Sequence, residues 1–307
     1  MSKRMKILIA YDGSECADAA LDDLRRAGLP SEADALVVSV AEVWLPLPAQ
    51  DEVLDDAFSL HVPASIKRAR ARAAQIMEQA EELAKRARGR VERNFPHWAV
   101  RHEAVSGSPA WEILNRAGEW QPHLIVVGSH GRNVLERAIF GSVSLKVLTE
   151  AKCSVRIARS APGRMAEDDS PLRLILGLDG SLGAEKAVEE VAARSWAEGT
   201  AVRLVTATEP FQVYGIEPVA QANYEQDIQR AAAHSLGATG LRVSAVVREG
   251  DPKSVLVEEA EKWGADSIFI GAKGHRFFER VLLGSVSYAV AARAHCSVEV
   301  VRAWEDE

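Results

Sequence analysis

Short apolar runs rich in β-branched residues alternate with stretches of helical periodicity along the whole chain. Lys6-Ile7-Leu8-Ile9-Ala10 is the first run, and a run of this length bounded by turn residues reads as a buried parallel strand. Tyr11-Asp12-Gly13-Ser14 is a turn. Residues 17–27 then repeat Ala17, Ala20, Leu21 and Leu24 at helical spacing until Gly28-Leu29-Pro30 stops the helix. Residues 35–43 are a second strand, and Pro46, Pro48 and Pro63 argue against regular structure after it. A long helix rich in Ala, Arg and Glu spans residues 64–88, and residues 98–105 are a third strand. Ser106-Gly107-Ser108-Pro109 opens a helix to about residue 120, with Trp111 and Leu114 as packing positions on one face. Leu124-Ile125-Val126-Val127 is a fourth strand, a helix begins at Ser142, and residues 153–159 alternate apolar with polar as a sheet-edge strand does.

The pattern then restarts. Residues 161–171 are polar, carry Pro and Gly, and read as a linker. Strand 173–178 leads through Asp179-Gly180-Ser181 to a helix over 184–197, a strand over 201–208 and a helix over about 222–236. Strand 241–248 follows, Glu249-Gly250-Asp251-Pro252 opens another helix, and residues 296–302 form the last strand. A unit this long is not a solenoid repeat. It predicts two copies of one domain, 1–160 and 172–307, joined by the linker. Each reads β-α-β-α-β-α-β-α-β, an α/β fold with a mostly parallel sheet and helices on both faces. The first copy has the longer connection between its second and third strands, in the region 45–88.

Candidate chemistry lies where the fourth strand of each copy ends. Val127-Gly128-Ser129-His130-Gly131 leaves that strand, and Gly141-Ser142-Val143-Ser144 opens the next helix. The second copy repeats the spacing with Ile270-Gly271-Ala272-Lys273-Gly274 and Gly284-Ser285-Val286-Ser287. A loop from a strand tip to a helix N-terminus is where α/β folds hold anions, because free N–H groups and the helix dipole point there. Glycine lets a ligand approach the backbone, and a hydroxyl at the helix start caps the helix or bonds a phosphate oxygen. A single Gly-x-x-Gly is equally a plain turn; its recurrence with the Gly-Ser-Val-Ser ending points to a nucleotide or phosphate site. Asp12 and Asp179 suit a ribose hydroxyl or Mg²⁺ beside phosphates, and equally an N-cap or Asx-turn. Lys273 stands where the first loop has His130, within reach of a phosphate or of solvent. Arg132, Arg137, His275, Arg276 and Arg280 make these loops basic.

Charge narrows the choice. The chain has 307 residues, a net charge of −7 and a hydrophobic share of 47%. That is ordinary for a globular protein with a real core, and the acidic balance argues against a general nucleic-acid binder. Acidic residues interleave with the arginines of the long helix, which reads as a solvated face. No apolar run approaches the ~20 residues that span a bilayer, and Ile7-Leu8-Ile9-Ala10 is too short for a signal-peptide core. Cys16, Cys153 and Cys296 lie far apart without metal-type spacing and read as buried free thiols of a cytoplasmic protein.

Asp-Gly-Ser after the first strand, Gly-x₂-Gly-x₉-Gly-Ser after the fourth and the short alternating last strand, all present twice, resemble the universal stress protein family in a tandem-domain form. The resemblance implies an open five-stranded, Rossmann-like, adenine-nucleotide-binding fold. It implies ATP, with ADP or AMP as variants, and Mg²⁺ held through the phosphates near Asp12 and Asp179. By the same resemblance Ala10 and Gly177 border adenine and ribose, Asp12 and Asp179 face ribose and phosphates, and the backbone at Val40 and Ala207 meets adenine. Gly128, Gly131, Gly271 and Gly274 admit phosphates; Gly141, Ser142, Val143, Ser144, Gly284, Ser285, Val286 and Ser287 bind them. Two family features are missing: Gln121-Pro122-His123 replaces the usual Asp before strand four, where the second copy keeps Asp266, and Ser154 and Ser297 stand where Pro is usual. In the family the last strands often pair antiparallel between domains, which implies a pseudo-dimer within this chain or a homodimer.

Two functional classes follow. The first is a non-catalytic ATP-binding module of stress response or signalling that acts on a protein partner. The second is a slow ATPase or adenine-nucleotide hydrolase. The chain has no Walker A lysine, Gly-x-Ser-x-Gly elbow or His-Glu-x-x-His motif, which favours binding over turnover. A dimerisation scaffold without nucleotide is the third reading.

Overall fold

The computed structural model describes residues 4–43, 64–130, 140–160, 170–208, 218–274 and 283–302. Gly131, the basic loop residues Arg132, Arg137, His275, Arg276 and Arg280, and residues 45–63 of the first copy's long connection lie outside them. The first copy runs β1 (Met5–Ala10), α1 (Glu15–Asp23) with a 3₁₀ turn (Leu24–Arg26), β2 (Ala33–Ala41), α2 (Ala64–Asn94) and β3 (Ala99–Ser106). It continues with α3 (Pro109–Trp120), β4 (Leu124–Gly128), α4 (Ser142–Glu150) and β5 (Ser154–Ala158). The second copy runs β6 (Arg173–Leu178), α5 (Leu182–Ala193), β7 (Ala201–Thr208), α6 (Pro218–Gly237) and β8 (Arg242–Glu249). It ends with α7 (Pro252–Trp263), β9 (Ser267–Gly271), α8 (Ser285–Arg293) and β10 (Ser297–Val301).

Local chemistry explains the boundaries. Helix α1 starts two residues before the expected position because the Ser14 hydroxyl accepts the Ala17 N–H at 3.2 Å; Ser181 caps α5 in the same way. Helix α2 continues six residues past the expected end, because its buried stripe of Ala80, Ala84 and Ala87 runs on to Val91. Its arginines are not all solvated as the charge pattern suggested. Arg90 binds Asp18 and Asp22 of α1 at 2.9 and 2.5 Å, and Arg86 donates to the Tyr11 hydroxyl at 2.9 Å. Trp111 is also not a packing position. It is 57% exposed, while Ala110 and Ile113 make the buried face of α3.

The two expected five-stranded sheets join into one ten-stranded sheet ordered β3-β2-β1-β4-β5-β10-β9-β6-β7-β8. All pairings are parallel except β5 with β10, which is antiparallel with Arg156 opposite Glu299. Residues 153–159 are therefore not at an edge: β5 and β10 are buried throughout. Their alternation separates two interiors instead of core and solvent. One sheet face carries a core that continues across both copies, from Leu8, Ile125 and Ile157 to Val298, Ile268 and Ile175. On the other face each copy has its own core, Ile7, Ile9, Leu21 and Val91 in the first and Leu174, Leu176, Val188 and Leu236 in the second.

Cys153 and Cys296 are buried and Cys16 is half-buried, so the three thiols are not alike. Burial pushes both Cys153 and Cys296 up to about 12. The thiolate is the nucleophile. An aromatic disulfide reagent is thus expected to modify Cys16 in the native protein at neutral pH and the other two only on unfolding. Rapid native modification of Cys153 or Cys296, located by peptide mass spectrometry, would contradict this packing.

Candidate functional site

The neighbouring strands β1 and β4 end together, and so do β6 and β9. The residues singled out in the sequence gather at these two strand ends. After β1 the chain turns through Gly13 at φ +78°, and after β6 through Gly180 at φ +75°, values that glycine adopts without strain. One carboxylate oxygen of Asp12 accepts the Ser14 N–H at 3.0 Å, and Asp179 accepts the Ser181 N–H at 3.0 Å. Both are Asx-turns, and Oδ2 of each takes no part in that turn bond. Asp12 is half-buried and Asp179 exposed.

The glycine loops press on these turns. A Cβ on Gly128 would lie 2.8 Å from the Cys16 carbonyl, and one on Gly271 would lie 2.4 Å from the Gly183 carbonyl carbon. These two glycines are required by backbone packing whether or not a ligand is present. Among the described residues a Cβ on Gly274 would meet the Asp179 carboxylate, 2.5 Å from Oδ2, and no backbone atom. Gly274 and Asp179 are therefore neighbours in space although far apart in sequence.

Each loop folds back on itself before the next helix. Gly141 N–H donates to Ser129 at 3.0 Å and Gly284 N–H to Ala272 at 2.7 Å. The buried Ser144 hydroxyl donates to the Gly128 carbonyl at 2.6 Å, and Ser287 donates to Gly271 at 2.7 Å. Their hydroxyl protons hold the loop to the strand tip. Ser142 and Ser285 open α4 and α8 and are exposed, while Val143 and Val286 are half-buried. The N-caps of both helices are glycines, Gly141 and Gly284, with no side-chain acceptor. The first-turn N–H groups have no partner inside a helix, and the Gly141, Ser144, Gly284 and Ser287 bonds hold both helix starts against the strand tips. That arrangement suits an anion.

The other candidates lie at or near the ends of the same strands and on the loops. Ala10 ends β1 and is half-buried; Gly177, its match, is buried, and a Cβ there would lie 3.2 Å from a Leu256 methyl. Val40 and Ala207 are half-buried near the ends of β2 and β7. Lys273 is half-buried, and its carbonyl accepts the Ser181 hydroxyl at 3.3 Å. In the first loop the Ser129 hydroxyl and His130 Nδ1 are 3.0 Å apart. Among the described residues no three His, Cys, Asp or Glu side chains cluster as a metal site.

The sequence reading did not single out Tyr11 or Ser39. Ser39 donates to the Tyr11 carbonyl at 2.6 Å, and the Tyr11 hydroxyl donates to Asp18 at 2.7 Å. Burial raises the Tyr11 pKa, with the Arg86 hydrogen bond opposing it. Through Tyr11 the long helix α2 is tied to the turn that holds Asp12. The second copy has Leu178 at this position, and that difference was the only signal available in the sequence.

Two tandem α/β units with matching strand-tip loops define a class of duplicated parallel-sheet folds, and comparison with known proteins narrows it. A family model described as "Universal stress protein family" matches residues 3–159 and again 172–302. The chain belongs to the universal stress protein family, in tandem form. A universal stress protein of Mycolicibacterium smegmatis is 27% identical over 304 residues, 96% of this chain and 96% of that one. One from Mycobacterium tuberculosis is 30% identical over 236 residues, 74% of this chain and 76% of that one. The crystal structure of a universal stress protein from Archaeoglobus fulgidus matches the fold with a TM-score of 0.63 at 21% identity, over 98% of this chain and 97% of that one. No helix among the described residues is long and apolar enough to cross a membrane.

Proposed function

We propose that the protein binds an adenine nucleotide, ATP in the first instance, at the strand tips of both copies, and that nucleotide state sets its affinity for a protein partner in a stress response. The observation that carries this reading is the pair of glycine-capped helix starts, at Ser142 and Ser285, each following a strand whose parallel neighbour runs into an Asx-turn aspartate with an oxygen outside that turn. Phosphates would take the first-turn N–H groups, together with the Ser142 and Ser285 hydroxyls. Mg²⁺ fits only as a guest of the phosphates, because each site offers a single carboxylate and Mg²⁺ is bound in this way elsewhere. Asp12 and Asp179 would hold it or a ribose hydroxyl. The chain has no Walker A lysine, Gly-x-Ser-x-Gly elbow or His-Glu-x-x-His motif, which supports a site for binding more than for turnover.

Calorimetric titration of the full chain with MgATP is expected to show saturable binding, and the melting temperature is expected to rise with ligand concentration. Gly274→Val is the informative variant. Its Cβ displaces the flexible, exposed Asp179 carboxylate and spares the backbone. It is expected to weaken the second site roughly tenfold or more, about 1.4 kcal/mol, with the unliganded melting temperature unchanged. No heat and no thermal shift at millimolar MgATP would overturn the nucleotide reading and leave the scaffold reading in its place.

A further inference from the structure

The junction between the copies has two layers of contact. The outer layer is twofold symmetric. Arg159 N–H donates to Ser297 at 3.0 Å, and its match Arg302 donates to Ser154 at 3.1 Å. The Arg159 guanidinium reaches the carbonyls of Cys296 and Ala291 at 3.2 and 2.5 Å; that of Arg302 reaches Cys153 and Leu148 at the same distances. Each arginine thus closes the C-terminal end of the other copy's last helix. Two identical copies could make all of these bonds.

The inner layer breaks that symmetry. Arg156 and Glu299 hold matching positions in the two copies and stand opposite each other on β5 and β10, 3.3 Å apart and both fully buried. Arg156 also grips Asp23 at 2.6 and 3.0 Å and donates to Ser267 at 2.9 Å. Glu299 is held by Arg194, which also binds Glu190 and the Ala27 carbonyl of the first copy at 2.7 Å. A second ion pair crosses the junction from Arg26 to Asp266 at 2.5 Å. The same Asp266 accepts the Arg173 N–H at 2.8 Å, a task that His123 performs in the first copy for the Lys6 N–H at 2.9 Å. The match of Arg26 in the second copy is Ala193, and the match of Arg194 in the first is Ala27. Arg156 keeps Asp23 and Arg194 keeps Glu299 within their own copies, which leaves the first copy one buried positive charge in excess and the second one buried negative charge in excess; these cancel only when unlike copies meet.

We propose that this junction is a charge-coded recognition surface: the closing strand of the first copy accepts the second copy and rejects another first copy, and the second copy is equally exclusive. Two first copies would set Arg156 against Arg156 and each Arg26 against a His123. Two second copies would set Glu299 against Glu299 and leave each Asp266 facing an alanine. An uncompensated excess of buried charge is heavily penalised, and a site that rejects the wrong partner by such a clash gains specificity without added affinity for the right one. The partner that fits the β5 edge is a β10 edge of this type, supplied within the chain, where the linker keeps its local concentration high.

The test uses the full chain with a protease site placed in segment 161–169, cleaved after purification, unfolded in urea and refolded. Native mass spectrometry then separates the three kinds of pair, because the two halves differ in mass. Roughly nine-tenths or more unlike pairs are expected, against about half for pairing blind to charge. Like pairs in the blind proportion overturn the proposal, as does recovery of separated halves. Arg156→Gln with Glu299→Gln in the same cleaved chain is expected to raise like pairs several-fold; an unchanged distribution also overturns it.

Discussion

Replacing Arg156 with alanine is expected to lower the free energy of unfolding by about 3–5 kcal/mol, the usual cost of stranding the partners of a buried ion pair. The side chain is fully buried between Asp23 and Glu299. Burial works against its charge, and the two carboxylates outweigh that and raise its pKa. Without it Asp23 keeps the Ser297 hydroxyl at 2.7 Å, and Glu299 keeps Arg194, but neither recovers the charge it faced. The junction is the continuous path between the two copies, so the loss is expected to separate their unfolding into two transitions in chemical denaturation. Arg230→Ala is the contrast: its ion pair with Asp227 is exposed on both sides, and its loss is expected to cost less than about 1 kcal/mol. Equal effects of the two variants would show that Arg156 carries no more weight than a surface charge.

Gly271→Ala is expected to destabilise the second copy by roughly 3 kcal/mol, the upper range for forcing one extra carbon into a packed site. Its Cβ would lie 2.4 Å from the Gly183 carbonyl carbon and 2.8 Å from the Ala184 nitrogen, both backbone atoms that cannot turn away. The first turn of α5 would have to leave the loop, and nucleotide binding at that site is expected to go with it. Gly118→Ala is the control. It lies in α3 with nothing within 4 Å of its Cβ, and it is expected to stabilise by about 0.5–1 kcal/mol. Denaturation curves of the two variants measure the difference. A Gly271→Ala protein as stable as the parent would mean that the loop and α5 are not in contact.

The two glycine changes also separate two meanings of one motif. Gly128 and Gly271 are needed by the backbone of the following turn, and Ser144 and Ser287 use their hydroxyl protons to hold the loop. Asp12 and Asp179 each spend one oxygen on an Asx-turn. Much of the spacing that looks like ligand chemistry in the sequence is thus the covalent logic of a tight strand-to-helix connection. What the turn does not use is the uncapped start of α4 and α8, the Ser142 and Ser285 hydroxyls and the remaining oxygen of each aspartate.

The duplication, the order of strands and helices in each copy and the place of the loops are all legible in the amino-acid sequence. These depend on local periodicity and on turn residues, which act over a few neighbours. The sequence also marked residues 153–159 and 296–302 as strands of alternating character. The tertiary structure alone decided what that alternation means. Val155 and Ile157 enter the core shared by both copies, while Arg156 enters an ion network completed by Asp23, 133 residues away, and Glu299, 143 residues away. A polar position in a strand reads as solvent-facing unless its partner charges are known, and here one lies on a distant helix of the same copy and the other on the opposite copy. Trp111 failed for the related reason that helical spacing fixes which residues share a face, and only the neighbours in space decide which face is covered.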